Sequence, residues 1–394
     1  MAQHYDIAVV GGGLAGATAA LAAANAGYKT ALVAPRHKST DGRTTALMMP
    51  SMELLERLGI WPTVRDVAAP LRSMRIIDGT SRLIRAPTVT FHASELDIEA
   101  FGYNIPNAPL LDALFHAIET SGEIAHFDRS ADLIADTQDQ VNLVLEDGTE
   151  ISCALCVGAD GRNSRVRAAS GIGVRDWRYP QTAIVLNFSH EYGHADTSNE
   201  FHTEKGPFTQ VPLPGRMSSL VWALSPADAD MMKALSREEL ALAIEQRMQS
   251  MLGKITIESA VQSFPFSGMI AKSFGKGRMV LVGEAGHVFP PIGAQGLNLG
   301  LRDVLELIDA LTRVGGPQNA PEAVRSYDRH RRSDVVSRTA SVDMLNRTLL
   351  NAFLPVQLAR STGLAALSAF APLRNFAMRE GMKPGGGLDV FRRH

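Results

Sequence analysis

The stretch YDIAVVGGGLAGATAALAAANAGYKTALVA, residues Tyr5 to Ala34, decides the fold class. Its apolar run Ile7–Val10 has the length and β-branching of a buried parallel strand. A glycine turn and an alanine-rich helix follow, Gly27 ends the helix, and Thr30–Ala34 has the pattern of a second strand. The stretch therefore predicts a βαβ unit, the building block of an α/β fold with a parallel sheet.

The turn between this strand and this helix has the pattern G-x-G-x-x-G. Gly11 permits the tight turn, Gly13 lets the backbone approach a pyrophosphate, and Gly16 lets the helix pack closely on the strand. The helix that starts at Leu14 and Ala15 offers free N–H groups and the positive end of its dipole to phosphates. The pattern predicts a dinucleotide-binding turn, and a merely tight βα turn is the alternative.

One part of a dinucleotide site is missing from the second strand. An acidic residue at the end of this strand ordinarily hydrogen-bonds the ribose hydroxyls. Here Ala34 and Pro35 occupy that place, and neither side chain can accept such a bond. We therefore expect backbone groups, Arg36 or water to make the contact, or the ribose to be bound more weakly.

The composition limits the class of protein. The chain has 394 residues, of which 45% are hydrophobic and 20% are charged, as in a globular protein with a large core. The net charge of −2 argues against a nucleic-acid binder, which would carry a basic excess. The sequence shows no signal peptide, no apolar run that could span a bilayer, and only two cysteines. These features predict a cytoplasmic protein without a disulfide framework.

Two further motifs follow strand-like runs. The first is Asp160-Gly161 with Ser164 and Arg167, in the spacing D-G-x-x-S-x-x-R. The second is MVLVGEAGHVFPPIGAQGLNLGLRD, Met279 to Asp303, which passes from a buried strand through a loop rich in glycine and proline into a helix. Its glycines allow close approach of the backbone to a ligand, and Glu284 stands where the apolar strand stops.

Together with the N-terminal turn, these motifs resemble the three fingerprints of the single-component FAD-dependent aromatic hydroxylases. In that family the third fingerprint runs from a strand through G-D to A-x-H-x-x-x-P-x-x-G-x-G-x-N, and its acidic residue holds the ribityl or ribose chain of FAD. Glu284 occupies the aspartate position here. The other matching residues are Gly283, His287, Pro291, Gly293, Gly296 and Asn298.

The resemblance implies an FAD site built from all three motifs. Its expected residues are Gly11, Gly13, Leu14, Ala15, Gly16, Arg43, Asp160, Gly161, Gly283, Glu284, Pro291, Gly293, Gly296, Leu297 and Asn298. The helix that begins near Gly296 would point its N-terminus at the pyrimidine end of the flavin, where its dipole stabilises negative charge. The backbone carbonyl of Pro291 is expected to face the substrate. His287 is either a catalytic base or, as we expect, a structural part of the loop.

Within the family, the segments DGRTTAL (Asp41–Leu47), FGYNIPNAPLLDAL, GPFTQVPLP and QGLNLGLRDV look like those of the ubiquinone-biosynthesis hydroxylases. The resemblance places Arg43 near the flavin phosphates. It also implies NADPH or NADH as the reductant, O₂ as a co-substrate, a C4a-hydroperoxyflavin, and a polyprenylated phenol as the substrate. Peripheral association with the inner face of the cytoplasmic membrane and membership of a quinone-biosynthesis protein complex are further expectations.

Two alternatives remain at this stage. One is a scaffold subunit with a flavin fold that has lost turnover, an interpretation that Ala34 and Glu284 keep open. The other is a different flavin oxidoreductase, such as a prenyl reductase.

The resemblance also implies a domain organisation. It predicts a Rossmann-like FAD-binding domain of the glutathione-reductase and p-hydroxybenzoate-hydroxylase type, with an inserted β-sheet substrate domain and C-terminal helices. We expect the FAD-binding domain at residues 1–73, 99–180 and 272–345, the β-rich domain at 74–98 and 181–271, and the helical segment at 346–394. The apolar stretch Leu349–Met378 predicts helices packed against the FAD-binding domain, with an interfacial segment as the alternative.

Two short motifs resemble sites of other kinds. HEYGH, His190 to His194, matches the zinc-protease pattern H-E-x-x-H, but that pattern requires a helix and this segment follows a strand-like run. We therefore expect two exposed loop histidines and no metal site. Cys153 and Cys156 form C-x-x-C within a predicted strand, where residues three apart face opposite sides, so we expect two buried thiols.

Overall fold

The computed structural model describes residues 3–36, 42–80, 85–291, 293–350 and 354–382. The strands are β1 (Gln3–Val10), β2 (Thr30–Val33), β3 (Thr44–Met48), β4 (Ala69–Pro70), β5 (Ser73–Asp78), β6 (Val89–His92), β7 (Gly102–Pro106), β8 (Ile124–Phe127), β9 (Ala131–Asp136), β10 (Val141–Leu145), β11 (Glu150–Gly158), β12 (Val174–His190), β13 (Thr197–Thr203), β14 (Gly206–Leu213), β15 (Met217–Leu224), β16 (Ile255–Ile257), β17 (Gln262–Ala271), β18 (Gly275–Lys276), β19 (Met279–Leu281) and β20 (His287–Val288).

The α-helices are α1 (Leu14–Asn25), α2 (Met49–Arg57), α3 (Trp61–Val64), α4 (Asn107–Ser121), α5 (Arg165–Ala169), α6 (Pro226–Ala234), α7 (Arg237–Arg247), α8 (Gln295–Arg313), α9 (Ala320–Leu350), α10 (Leu354–Ala369) and α11 (Ala371–Met382). Short 3₁₀ turns lie at Arg65–Val67, Ala93–Leu96, Gly283–Ala285 and Pro317–Asn319.

The first sheet contains the predicted βαβ unit. Its strand order is β18-β19-β11-β1-β2-β8, and the hairpin β9–β10 pairs with β11. The strands β19, β11, β1, β2 and β8 are parallel to one another, and the edge strand β18 is antiparallel to β19. The helix α1 begins directly after Gly13 and packs its alanine side chains against the sheet, with Ala17 and Ala20 fully buried. The predicted α/β fold class is therefore confirmed.

The side chains of β1 and β11 do not alternate regularly. Cys153 and Cys156 lie three residues apart, yet both are fully buried in the same apolar cluster. On β1, which pairs with β11, the successive N–H groups of Asp6 and Ile7 both donate to the Lys29 carbonyl, at 2.9 and 3.3 Å. At this irregularity the alternation of side chains between the two faces of the sheet shifts by one residue. The expectation of opposite faces is wrong, whereas the burial of both thiols is confirmed. The hydrogen bond with Cys153, together with burial, raises the pKa of Cys156.

The second sheet has the order β20-β17-β12-β15-β14-β13-β5-β6, with β16 beside β12. The helices α6 and α7 cover one face, where an apolar cluster includes Ile184, Phe188 and Ile244. The strand β12 has 17 residues and pairs with β15, β16 and β17. The pairing of β12 with β17 is interrupted between Arg178 and Thr182. Pro180 is tolerated in this gap, because its missing N–H group removes no hydrogen bond between the two strands.

The histidines of the HEYGH segment lie at the edge of this sheet. His190 ends β12, and its ring nitrogens lie 2.7 Å from the Tyr192 carbonyl and 3.0 Å from the Ser218 hydroxyl. His194 Nε2 lies 2.9 Å from the Leu213 carbonyl oxygen. Both rings are buried, so the expectation of exposed histidines is wrong. The rings are buried because each one hydrogen-bonds to a backbone carbonyl inside the protein. Burial lowers the pKa of His190. The segment is not helical, and the described ranges contain no group of three side chains placed to hold a metal ion.

The helices α10 and α11 pack on the second sheet rather than on the first. Leu364, Leu367 and Met378 join the apolar cluster of β6 and the 3₁₀ turn Ala93–Leu96. Arg374 donates to Glu95 of this turn at 2.7 Å. The expected packing of an apolar C-terminal segment is thus found, but against a different partner. Residues 351–353 and 383–394 of that segment lie outside the described residues, as does Asp41 of the DGRTTAL motif.

Candidate functional site

Three adjacent strands bring the three sequence motifs to one edge of the first sheet. Val10 of β1 pairs with Gly158 of β11, and Gly158 pairs with Leu281 of β19. Because these strands are parallel, the chain leaves all three at the same edge, where open α/β sheets bind ligands. The loops that begin there carry Gly11–Gly16, Asp160-Gly161 and Gly283-Glu284.

The glycines of the first loop have different roles. Gly11 has a φ of +113°, and a Cβ there would collide with the carbonyl oxygen of Ala159 in the second loop. A Cβ on Gly16 would collide with the Gly11 carbonyl. Gly13 is exposed, and no atom lies within 4 Å of where its Cβ would stand. Gly11 and Gly16 therefore make close backbone packing possible, whereas Gly13 borders open space at the sheet edge.

The N-terminus of α1 is free to bind an anion. Gly13 is its N-cap residue and provides no side-chain hydrogen bond, and the first turn holds no acidic residue. The first intrahelical bond runs from Ala17 N to the Gly13 carbonyl at 2.9 Å. The backbone N–H groups of Leu14, Ala15 and Gly16 therefore have no partner within the helix. This arrangement suits a pyrophosphate.

The second motif supports both the second and the third loop. One oxygen of Asp160, Oδ2, accepts bonds from Arg165 N and Val166 N at 2.6 and 3.2 Å. The Arg167 guanidinium donates to the Ala285 carbonyl of the third loop at 2.7 Å. The other carboxylate oxygen, Oδ1, is buried and has no partner among the described residues. It can therefore accept a bond from a ligand hydroxyl beside Gly161, whose φ is +77°.

The third loop lies between two helices. Gly283 has a φ of +61°, and its Cβ would stand 3.2 Å from the Cβ of Ala15 on α1. A Cβ on Gly300 of α8 would stand 3.3 Å from the Gly283 Cα. Small residues on all three segments therefore bring this loop against the first one. Glu284 is exposed between buried neighbours, which leaves its carboxylate accessible to a ligand.

His287 is fixed inside the protein behind this loop. It is 1% exposed, and its Nε2 lies 2.7 Å from Oδ2 of Asp303 on α8. The same oxygen accepts a bond from Gly283 N at 2.8 Å, and Arg331 Nε donates to Oδ1 at 2.7 Å. The ring packs 5.3 Å from the ring of Phe289. This geometry supports a structural role for His287 rather than that of a catalytic base.

Asp303 and Arg331 support the third loop, and the sequence motifs did not identify them. Burial raises the pKa of the Asp303 carboxyl, but the charges of His287 and Arg331 outweigh it, and the pKa lies below its ordinary value. Asp303 is therefore a buried carboxylate that holds the backbone of the third loop. The available sequence signal was an acidic residue on the apolar face of a predicted helix, next to Leu299 and Val304, which are also buried.

Asn298 joins the third loop to β3 and α2. Its Oδ1 accepts bonds from Met48 N at 2.9 Å and Ser51 Oγ at 2.8 Å. Its Nδ2 donates to the carbonyls of Ala46 and Ala294 at 2.8 and 2.6 Å. All four hydrogen bonds of the amide are therefore made within the protein, and they fix the side chain in place. Contact between Asn298 and FAD stays a prediction.

The N-terminus of α8 offers a second uncapped helix end. Its N-cap residue Ala294 has a φ of +53° and makes no side-chain cap bond. Gly296 is exposed with no atom within 4 Å of its Cβ position, and Leu297 follows in the same first turn. Their N–H groups are therefore available to a ligand with negative charge.

The remaining predicted residues lie around these loops. Pro291 is exposed and adjoins position 292, which lies outside the described residues, and Gly293 has a φ of +65°. The Arg43 guanidinium lies 5.1 Å from the ring centroid of Phe264 on β17. Arg43 therefore lies between β3 and the second sheet, at the margin of the candidate site.

These features fit FAD. Two uncapped helix N-termini suit the pyrophosphate and the flavin, and two carboxylate groups, Asp160 Oδ1 and Glu284, suit the hydroxyls of the chain between them. A family model described as FAD binding domain matches residues 4–341. The chain belongs to this FAD-binding family. FAD is therefore its cofactor.

The relatives of the chain confirm the resemblance to ubiquinone-biosynthesis hydroxylases. It is 32% identical to the ubiquinone hydroxylase UbiL of Rhodospirillum rubrum, over 96% of this chain and 89% of the relative. It is 30% identical to the 3-demethoxyubiquinol 3-hydroxylase of Escherichia coli, over 96% of this chain and 98% of that protein.

Solved structures show the same fold. The p-nitrophenol 4-monooxygenase PnpA from Pseudomonas putida superposes with a TM-score of 0.79 at 18% identity, over 99% of both chains. PqsL from Pseudomonas aeruginosa, in complex with 2-aminobenzoylacetate, has a TM-score of 0.78 at 21% identity, over 92% of this chain and 100% of that one.

Proposed function

We propose that this protein is an FAD-dependent monooxygenase that hydroxylates the aromatic ring of a ubiquinone precursor, a polyprenylated phenol. The observation that carries the proposal is the meeting of three fingerprint loops at one sheet edge, between two uncapped helix N-termini. The relatives named as ubiquinone hydroxylases support the choice of substrate class.

Each loop has a distinct task in this proposal. The N–H groups of Leu14 and Ala15 bind the pyrophosphate, and Gly13 leaves room for it. Asp160 and Glu284 accept bonds from the ribityl or ribose hydroxyls. The N-terminus of α8 faces the pyrimidine end of the flavin and stabilises negative charge there. The Pro291 carbonyl faces the substrate, and Arg43 lies near the flavin phosphates.

FAD, when bound, supplies the redox chemistry and the activation of O₂. The protein contributes binding, orientation and exclusion of water. The part of the third loop that follows Gly283 adds the strand β20 to the second sheet, where Met269 pairs with Val288. The loop is therefore held by both sheets, and the second sheet is placed to cover the substrate. The separation into a first sheet that carries the fingerprint loops and a second sheet that covers the substrate supports the predicted FAD-binding and substrate domains.

We further propose NADPH or NADH as the electron donor. The chain has a single G-x-G-x-x-G turn, at Gly11–Gly16, which FAD occupies. The reductant therefore meets the flavin without a second Rossmann unit of its own. Membership of a quinone-biosynthesis complex stays a prediction.

Peripheral membrane association is also part of the proposal. None of the described helices is both long and apolar enough to cross a bilayer. The junction of α10 and α11 exposes Phe370 by 64% and Leu373 by 45%, and residues 361–373 contain no charged side chain. An exposed apolar tip of this kind suits the boundary between lipid headgroups and acyl chains. Flotation with lipid vesicles tests it, and Phe370→Glu should reduce the bound fraction.

The test of the proposed activity uses purified protein, FAD, NADPH and a short-tailed polyprenylphenol under ¹⁸O₂. We expect a product with one ¹⁸O atom in a new ring hydroxyl, detected by mass spectrometry. A phenol recovered unchanged while NADPH and FAD are turned over would contradict the proposed hydroxylation. A reduced prenyl chain would instead indicate a prenyl reductase.

A further inference from the structure

The end of β2 carries no acidic residue, and the residue that stands there, Ala34, is closely packed. Ala34 is buried, and its Cβ lies 2.8 Å from where a Cβ on Gly12 would stand. The ring of Phe115 on α4 comes within 3.1 Å of the same point. Ala34 therefore packs against the phosphate-binding turn and α4. Any carboxylate that serves a ligand at this strand end has to come from a neighbouring element.

Such a carboxylate is present on α4. Glu119 forms an ion pair with Arg36, the second residue after Ala34, and the Arg36 guanidinium lies 5.8 Å from the ring centroid of Phe115. The backbone N–H of Arg36 donates to Asp128 Oδ1 at 2.7 Å, which fixes the chain where it leaves β2. The two side chains of the pair are 49% and 39% exposed, so a ligand can reach them.

We propose that Glu119, positioned by Arg36, supplies to the adenosine ribose of FAD the carboxylate that is missing at the end of β2. Phe115 contacts both the Gly12 position and the Arg36 guanidinium, so the ion pair lies one ring away from the phosphate-binding turn. It lies on the β2 side of that turn, where the ribose of a bound dinucleotide is expected. Arg36 binds Oε1 of Glu119, which leaves Oε2 for a ribose hydroxyl.

This proposal rests on FAD binding as proposed above. It concerns one contact, the hydrogen bond between a carboxylate and the adenosine ribose. A carboxylate from a neighbouring helix replaces the carboxylate of the strand, and a guanidinium holds it in place. Arg36 is a positioning residue, since it acts through Glu119. The alternative that Arg36 itself or water makes the contact predicts a different response to mutation of Glu119.

The test compares the affinity of the apoprotein for FAD with its affinity for FMN, which lacks adenosine. We expect Glu119→Gln to raise the Kd for FAD about tenfold, the effect of one lost hydrogen bond to a charged group. The Kd for FMN should not change. Arg36→Ala should weaken FAD binding in the same selective way, and Arg36→Lys should weaken it less. The matched control is Glu99→Gln. Glu99 is an exposed carboxylate whose Oε1 lies 3.3 Å from Arg72 Nη2, and it is not part of the glycine turn.

The outcomes separate this proposal from the proposed function. A Kd for FAD that is the same in Glu119→Gln and in the wild type would overturn it. An equal rise for FAD and FMN would overturn it as well, because it would indicate a general effect on the fold. Wild-type protein that binds neither flavin would contradict the FAD-dependent function itself.

Discussion

Gly13 lies at the N-terminus of α1 beside open space, whereas Gly11 and Gly16 are packed against backbone atoms. We predict that Gly13→Val keeps the melting temperature of the wild type but loses FAD, because the new side chain takes the place of the pyrophosphate. The lost phosphate contacts are each worth about 1.5–3 kcal/mol, so the Kd for FAD should rise by about a hundredfold. Calorimetry and flavin titration measure the two quantities.

Gly16→Val is the matched control for this prediction. Its Cβ would collide with the Gly11 carbonyl, so this variant should lose stability as well as FAD. A yellow Gly13→Val protein would show that the first loop does not bind the pyrophosphate.

Glu284 is exposed, so its replacement should affect the cofactor and not the fold. We predict that Glu284→Ala weakens FAD binding about tenfold, while Glu284→Asp retains it, because the shorter side chain still carries a carboxylate. Both variants should keep the free energy of unfolding within about 0.5 kcal/mol of the wild type. Equal affinities in all three proteins would remove Glu284 from the FAD site.

The glycines and acids of the three motifs could be identified from the sequence, because their spacing expresses backbone requirements that do not depend on distant residues. The hydrogen-bond partners of Asn298 and His287 could not be identified in this way. Asn298 bonds to Met48 and Ser51, which lie about 250 residues away, and such pairings leave no mark in local spacing. The same holds for Glu119, which lies next to Arg36 only because α4 packs beside α1.

At the scale of elements, Asp303 connects α8, α9 and the third loop. We predict that Asp303→Asn lowers the free energy of unfolding by about 3–5 kcal/mol, because it removes one of the two carboxylates that pair with buried Arg331, the other being Asp334. Asp309→Asn on the exposed face of α8 is the control and should change stability by about 0.5 kcal/mol or less. Chemical denaturation measures both. Equal effects of the two substitutions would contradict the assigned role of the buried network.

The same network has a defined pH dependence. The folded state lowers the pKa of Asp303, so its contribution to stability is complete above the ordinary aspartate pKa of about 3.9 and is lost as the pH falls through the lower folded value. Asp303→Asn should therefore show a weaker loss of stability than the wild type between about pH 4 and pH 2. A parallel acid dependence in the two proteins would show that Asp303 does not titrate in this way.

The histidines at the edge of the second sheet belong to its packing. We predict that His190→Ala combined with His194→Ala leaves turnover and FAD binding intact but lowers the free energy of unfolding by about 1–3 kcal/mol, from lost buried hydrogen bonds. Metal analysis should find no zinc in the wild type. His116→Ala, an exposed position on α4, is the control for stability. Loss of activity together with zinc in the wild type would reverse this interpretation.

Elements were predicted where local pattern decides them. The βαβ unit and the helix that begins near Gly296 follow from periodicity and glycine placement. The length of β12 and the shared cluster of Cys153 and Cys156 depend on irregular pairing with neighbouring strands, which the sequence of one strand does not contain. For the same reason, the sequence did not show that α10 and α11 pack against β6.

At the scale of the whole molecule, two sheets share the third loop. The first sheet fixes it through β19 and Asp303, and the second sheet pairs with it through β20. We propose that a flavin held by this loop faces the second sheet and that a substrate bound between them influences the reduction of the flavin. Such coupling between substrate binding and flavin reduction is expected of the proposed hydroxylase.

The most direct test is an absorbance spectrum of the purified protein, followed by anaerobic addition of NADPH with and without a short-tailed polyprenylphenol. We predict bound FAD and faster bleaching of its absorbance when the phenol is present. A colourless protein that takes up no added FAD would contradict FAD-dependent hydroxylation and would favour the scaffold interpretation.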